Sequence, residues 1–74
     1  MDRRQTALNY LRTVIAADAE DISEATGLTT KEAGILLRDL YAAGEVIVAM
    51  RRDSFNLDGK KHWSPQLWAI KDNA

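Results

Sequence analysis

The sequence predicts a mainly helical α+β fold in which three helices precede a β-hairpin. Apolar residues recur at three- and four-residue spacing as far as position 43, which is the pattern of amphipathic helices. The pattern then changes to the β-branched run Val46-Ile47-Val48, which is typical of a strand. Two glycines, Gly27 and Gly44, follow apolar stripes and are placed to end helices. With 74 residues, the chain is predicted to form a single domain over residues 1–74.

The first two helices are predicted at about residues 3–16 and 19–26. The buried stripe of the first is predicted to consist of Ala7, Leu8, Leu11, Val14 and Ile15. Asp18 is predicted to cap the second helix, because its carboxylate can accept hydrogen bonds from the free first-turn amides. Gly27 is predicted to end this helix.

A third helix is predicted at about residues 30–43. Thr29 and Glu32 have the spacing of a capping box, in which each side chain accepts a hydrogen bond from the other residue's amide. The predicted buried stripe consists of Ala33, Leu36, Leu37 and Leu40. Gly44 is predicted to end this helix.

The hairpin is predicted at about residues 45–71. Its strands are expected at residues 46–52 and 67–71, joined by a long polar loop. Asp58-Gly59 within that loop favours a turn, because both residue types tolerate positive φ. Asp72-Asn73-Ala74 is expected to form a frayed tail.

Composition argues against several classes of protein. The chain has no cysteine, which excludes disulfides and thiolate metal sites. Its one histidine, His62, has no second ligand at metal spacing, so we expect no metal and no cofactor. No phosphate-binding loop or Ser/His/Asp arrangement is present, so we do not expect an enzyme. The apolar runs are far shorter than the roughly 20 residues of a membrane span, and we expect a cytoplasmic protein with no membrane partner.

The charge is segregated along the chain, although the net charge is only −1. Residues 17–28 carry four carboxylates and neither lysine nor arginine, and basic segments lie on both sides of them. Part of this acidity has a structural explanation: Glu20 and Asp21 fall in the first turn of the second helix, where the helix dipole favours negative charge. A nucleic-acid partner would therefore have to meet the basic segments.

Two stretches resemble the winged helix-turn-helix regulators of bacteria. Residues 22–29 read Ile-Ser-Glu-Ala-Thr-Gly-Leu-Thr, similar to the family's Ile-x-x-Ala-x-Gly-Leu-Ser/Thr turn. Residues 40–46 read Leu-Tyr-Ala-Ala-Gly-Glu-Val, similar to its Leu-x-x-Ala-Gly-x-Val helix end. The resemblance extends over roughly residues 3–71 and implies a three-helix winged helix-turn-helix fold. It also implies a small transcriptional regulator of bacterial or phage type that binds double-stranded DNA, with the third helix in the major groove and the hairpin wing on the backbone.

The resemblance implies that DNA-binding residues lie on the outward face of the third helix and on the wing. Hydroxyls and amides at the start of that helix can bind a phosphate, and cations can contact phosphates or guanine edges. The candidates are Thr29, Thr30, Lys31, Gly34, Ile35, Arg38, Arg51, Arg52, Lys60, Lys61 and His62. Arg3 and Arg4 are expected to add contacts from the first helix.

Several of these residues leave a second interpretation open. Gly34 weakens the middle of a helix by about 1 kcal/mol relative to alanine, which predicts a close approach by DNA or by a partner protein. An exposed Ile35 suits either a thymine methyl or a protein contact. A winged helix used for protein–protein interaction without DNA binding, and a homodimer, therefore remain alternatives. Trp63 and Trp68 are predicted to pack in the core or hairpin in preference to stacking on bases.

Overall fold

A computed structural model describes residues 2–71 of the chain, and the predicted tail Asp72-Asn73-Ala74 lies outside them. Within this part, three helices precede four strands: α1 Arg3–Leu11, α2 Ala19–Thr26, α3 Thr30–Ala42, β1 Val46–Met50, β2 Ser54–Leu57, β3 Lys60–Trp63 and β4 Leu67–Ile70. β1 pairs with β4, and β2 pairs with β3, both antiparallel. The architecture is the predicted α+β winged helix.

α1 ends at Leu11, well before the predicted end at residue 16. Thr13 donates both its amide and its hydroxyl to the Tyr10 carbonyl, at 2.9 and 2.7 Å, which tightens the last turn. The segment 13–15 is β-branched throughout and therefore a weak helix former. The predicted buried position of Ile15 is wrong, since its side chain is 96% exposed.

The segment that follows α1 pairs with a strand of the sheet. Ala17 and Trp68 exchange two backbone hydrogen bonds of 2.8 and 2.7 Å, so a short extended segment lies beside β4 on the edge away from β1. This long-range pairing explains why the helix ends before residue 16, although the helical spacing of apolar residues in the sequence continues to that point.

Asp18 and Thr29 cap the starts of α2 and α3, as predicted, and the reciprocal arrangement predicted at Thr29 is found at Asp18 as well. The amide of Asp21 donates to Asp18 at 2.8 Å, and the amide of Glu32 donates to Thr29 at 3.1 Å. Each acidic side chain in turn accepts the amide of its cap residue. Gly27 ends α2 with φ +79°, a left-handed conformation that costs glycine little. The tight turn between α2 and α3 is therefore specified by local residues.

The core is formed where the three helices meet β1 and β4. The buried residues are Ala7, Leu8, Leu11, Ala17, Ile22, Ala33, Leu37, Leu40, Val46 and Trp68. Leu36, predicted to be buried, is partly buried at the margin of this core. Trp68 is only 7% exposed and meets Tyr41 of α3 edge to face, with ring centroids 6.0 Å apart. Trp68 therefore links α3 to the sheet, as expected of a packing residue.

The loop predicted between the hairpin strands is wrong, because this segment pairs with itself as β2 and β3. Asp58 and Gly59 both have positive φ, +53° and +75°, as in a type I′ turn whose twist suits two paired strands. At the other end, the Ser64 amide donates to the Asp53 carbonyl at 2.8 Å. β2 and β3 thus form a projecting arm, called the wing tip below.

Candidate nucleic-acid interface

α3 and the wing border an open concavity of about 590 Å³. The α3 side is lined by Thr30, Gly34 and Arg38, and the wing side by Arg52, Trp63, Pro65 and Gln66. This surface, called the α3–wing concavity below, brings together four of the predicted site residues from segments that are distant in sequence. The remaining candidates lie around it or elsewhere.

Arg38 and Arg52 approach the concavity from opposite sides and are exposed. Among residues 2–71, the ion pair is between Arg4 and Glu45, at 3.1 Å, and it includes neither of these arginines. Their guanidinium groups are therefore available for an anionic ligand. Arg4, by contrast, is already engaged by a carboxylate.

Trp63 lies at the wing edge of the concavity and is 54% exposed, which corrects its prediction as a packed residue. The Arg52 guanidinium carbon is 5.1 Å from the centre of its ring, and the Lys61 ammonium nitrogen is 5.0 Å from it. Both distances suit a cation–π interaction. The indole thus holds two cations at the edge of the concavity and presents an apolar surface beside them.

The wing tip has two chemically different faces, because successive side chains of a strand alternate. Lys61 and Trp63 share the face that borders the α3–wing concavity. Lys60 and His62 lie on the opposite face, where the His62 ring stacks on Phe55 at a centroid distance of 5.5 Å. The predicted cluster of residues 60–62 is therefore divided between the two faces. Alternation along β3, combined with the position of Trp63, is the sequence signal that predicts this division.

The start of α3 carries both a cap and a charge. The Thr29 hydroxyl oxygen accepts a hydrogen bond from the Glu32 amide, so this oxygen is already engaged in capping the helix. The Thr29 amide and hydroxyl hold the pKa of Glu32 below its ordinary value, and the positive charge of Arg3 lowers it further. Thr30, Lys31 and Ile35 are exposed on the same helix, and Ile35 is 52% exposed.

Two features limit where an anion can bind. Asp18 and Glu20 line the α2 side of the concavity, where their carboxylates disfavour a phosphate. Arg51 does not line the α3–wing concavity but a smaller one, of about 410 Å³, together with Tyr41 and Val48. The favourable part of the interface is therefore the strip between Arg38 and the Arg52–Trp63–Lys61 group.

Within residues 2–71 there is no group of three or more histidine or acidic side chains able to hold a metal ion. No helix in that part of the chain is long and apolar enough to cross a membrane.

No protein-family model and no curated protein matches the sequence. Among solved structures, the chain is similar to Stf76 from the Sulfolobus islandicus plasmid-virus pSSVx, with a TM-score of 0.66 and 18% sequence identity. The match covers 99% of this chain and 86% of the other. At this level of identity the likeness shows a shared fold alone.

Proposed function

We propose that this chain is a double-stranded DNA-binding domain, a small transcriptional regulator of bacterial, phage or viral type. One observation carries the proposal: α3 and the wing each direct an arginine, Arg38 and Arg52, toward one shared concavity, and neither has an ion-pair partner among residues 2–71. A convex polyanion such as duplex DNA is the ligand that suits two cationic walls separated in this way. The fold shared with a protein of a plasmid-virus supports the viral option.

In the proposed complex, α3 enters the major groove and its exposed side chains face the bases and the flanking phosphates. Arg38 contacts a phosphate or a guanine edge, and Lys31 contacts the backbone nearer the start of the helix. Arg52 and Lys61 contact phosphates from the wing, while Trp63 packs against a deoxyribose or a base edge. Gly34 lies between these contacts and has no side chain, which allows a sugar–phosphate strand to approach the helix backbone.

A protein partner is the second candidate function, and the exposure of Ile35 favours it. An isoleucine in the middle of an exposed helix face can anchor a protein contact as well as meet a thymine methyl. The two functions differ in the contribution of cations, since a contact centred on Ile35 does not require Arg38, Arg52 or Lys61.

Fluorescence anisotropy of a labelled, mixed-sequence DNA duplex at low salt tests the proposal. The wild-type chain is expected to bind, and Arg38→Ala to weaken binding about tenfold, which corresponds to the loss of roughly 1.4 kcal/mol from a charge-assisted contact. Arg12→Ala is the matched control: it removes the same charge from an exposed residue that does not line the concavity. An equal loss in both variants would indicate non-specific attraction, and no binding by the wild-type chain would refute the proposal.

A further inference from the structure

Trp63 lies between two cations at the base of the wing tip. In the register of β2 and β3, Trp63 pairs with Ser54 and Lys61 pairs with Asn56. Arg52 precedes Ser54 by two residues, on the side away from Lys61. The Arg52 guanidinium carbon is 5.1 Å and the Lys61 ammonium nitrogen 5.0 Å from the centre of the indole ring. The order along the wing is therefore cation, aromatic ring, cation.

This order corresponds to the chemistry of a nucleic-acid strand, in which every sugar lies between two phosphates. In the proposed complex, Arg52 and Lys61 each contact a phosphate. When these phosphates are successive, the sugar that joins them lies over Trp63, whose side chain is 54% exposed and has apolar surface to cover it. This contact rests on the proposed function, because the strand reaches Trp63 only when DNA occupies the α3–wing concavity.

The two residues that follow Trp63 offer little to a sugar hydroxyl. The Ser64 hydroxyl oxygen accepts a hydrogen bond from the Asp53 amide at 3.0 Å, and the hydroxyl donates to the Asp53 carbonyl at 3.2 Å. Pro65 has no amide hydrogen. Covering a hydroxyl without giving it a hydrogen bond is unfavourable, whereas the 2′ carbon of deoxyribose carries only hydrogen. The indole surface therefore suits deoxyribose better than ribose.

We propose that Trp63 selects deoxyribose over ribose on the strand held by Arg52 and Lys61, and so determines specificity for DNA over RNA. The 2′-hydroxyl is the group by which a protein distinguishes the two nucleic acids at a given site. α3 discriminates in a different way, because the narrow major groove of an RNA duplex excludes the helix by shape. Stacking on an unpaired base is the competing role for Trp63, but a base would have to displace a cation from the ring.

Affinities for a DNA duplex and an RNA duplex of the same mixed sequence test this selection. Each labelled duplex is titrated at the same low salt concentration, with fluorescence anisotropy as the readout. The wild-type chain is expected to prefer DNA, and Trp63→Ala to reduce the ratio of the two affinities about threefold to tenfold. The ratio falls because the variant loses its contact with deoxyribose but loses nothing on the RNA duplex, where the indole opposes binding. Trp63→Phe should restore the preference, since it keeps an apolar ring.

Lys61→Ala is the matched control, because it removes a neighbouring contact that does not depend on the sugar. It should weaken binding to both duplexes by the same factor and leave the ratio of their affinities unchanged. A ratio that is the same in the wild-type and Trp63→Ala chains, or that changes equally in Lys61→Ala, would overturn the proposal. A preference for single-stranded DNA that disappears in Trp63→Ala would overturn it in favour of base stacking.

The same titrations separate the sugar selection from the proposed function. A wild-type chain that binds neither duplex refutes DNA binding itself, and the sugar selection with it. A wild-type chain that binds DNA, with a preference that Trp63→Ala does not alter, refutes the sugar selection alone. Because Trp63 lies outside the buried core, Trp63→Ala is expected to fold, and its circular dichroism melt checks this.

Discussion

Lys60 and Lys61 are neighbours in the sequence but lie on opposite faces of the wing tip, and this separates their expected roles. Lys61 lies against Trp63 at the concavity, whereas Lys60 lies on the face of the His62–Phe55 stack. Lys61→Ala is expected to weaken binding to duplex DNA about threefold to tenfold more than Lys60→Ala, a difference of roughly 0.7–1.4 kcal/mol.

The two lysine variants are matched, because each removes one positive charge from the wing and changes the long-range electrostatic attraction equally. Anisotropy titrations of both variants at the same salt concentration give the comparison. Equal losses, or a larger loss for Lys60→Ala, would show that the wing does not meet DNA through the face that carries Trp63.

Glu32 predicts a pH dependence of folding stability. The pKa of Glu32 lies below the ordinary value of 4.5, first because its carboxylate accepts a hydrogen bond from the Thr29 amide and second because of its interaction with the Thr29 hydroxyl. A carboxyl whose folded pKa is lower than its unfolded pKa stabilises the fold above the unfolded value, and this contribution disappears as pH falls through the folded value. The capping box should therefore stabilise α3 fully near neutral pH and progressively less below about pH 4.5.

Thermal unfolding of wild-type and Glu32→Gln chains across this range measures the effect. The variant keeps an acceptor of similar shape but cannot carry the charge. We expect the wild-type chain to have the higher melting temperature near neutral pH and the difference to shrink in acid. A difference that is the same at all pH values would show that the charge of Glu32 does not contribute.

At the scale of the element, α3 contains a glycine that the chain itself does not require. A Cβ built on Gly34 would meet no atom of residues 2–71 within 4 Å beyond its own helix, and φ of Gly34 is not positive. Gly34→Ala is therefore expected to stabilise the domain by about 1 kcal/mol and to raise its melting temperature by roughly 4–8 °C. The added methyl projects into the α3–wing concavity, so the same variant should bind DNA more weakly.

Opposite changes in stability and binding are the expected signature of a residue retained for close approach of a ligand. Circular dichroism melts and anisotropy titrations on one preparation give both quantities. A variant that is more stable and binds DNA as well as the wild-type chain would show that the ligand does not approach α3 at Gly34.

The parts of the fold that depend on local chemistry could be predicted from the sequence, and those that depend on distant pairing could not. Asp18 and Thr29 cap their helices because the groups they satisfy are within three residues. The end of α1 depends instead on Ala17 pairing with Trp68, which helical periodicity does not report. The sequence does not indicate the pairing of β2 with β3, because each strand is only four residues long and mostly exposed.

The candidate site shows the same division. The identities of Arg38 and Arg52 could be named from charge and resemblance, since α3 and a wing were expected. Their convergence on one concavity depends on how the wing folds back toward α3. The exposure of Trp63 depends on which face of β3 turns toward that helix, and this is a property of the assembled fold.

At the scale of the whole molecule, a net charge of −1 coexists with a strongly uneven surface. Asp18 and Glu20 line one side of the α3–wing concavity, Arg38 and Arg52 line the other sides, and Lys61 lies against Trp63 at its edge. The proposed DNA binding therefore relies on a few oriented cations and not on overall attraction. The affinity for DNA of random sequence should therefore be low, but it should still decrease with rising salt, as expected of phosphate contacts.

The dependence of DNA affinity on salt tests the central claim most directly. If Lys31, Arg38, Arg52 and Lys61 each neutralise one phosphate, a plot of log affinity against log salt should have a slope of about −3.6, near −0.9 for each contact. Lys61→Ala should make this slope shallower by about 0.9. A slope near zero, or no binding to duplex DNA even at low salt, would contradict the account and favour a protein partner on the exposed face of α3.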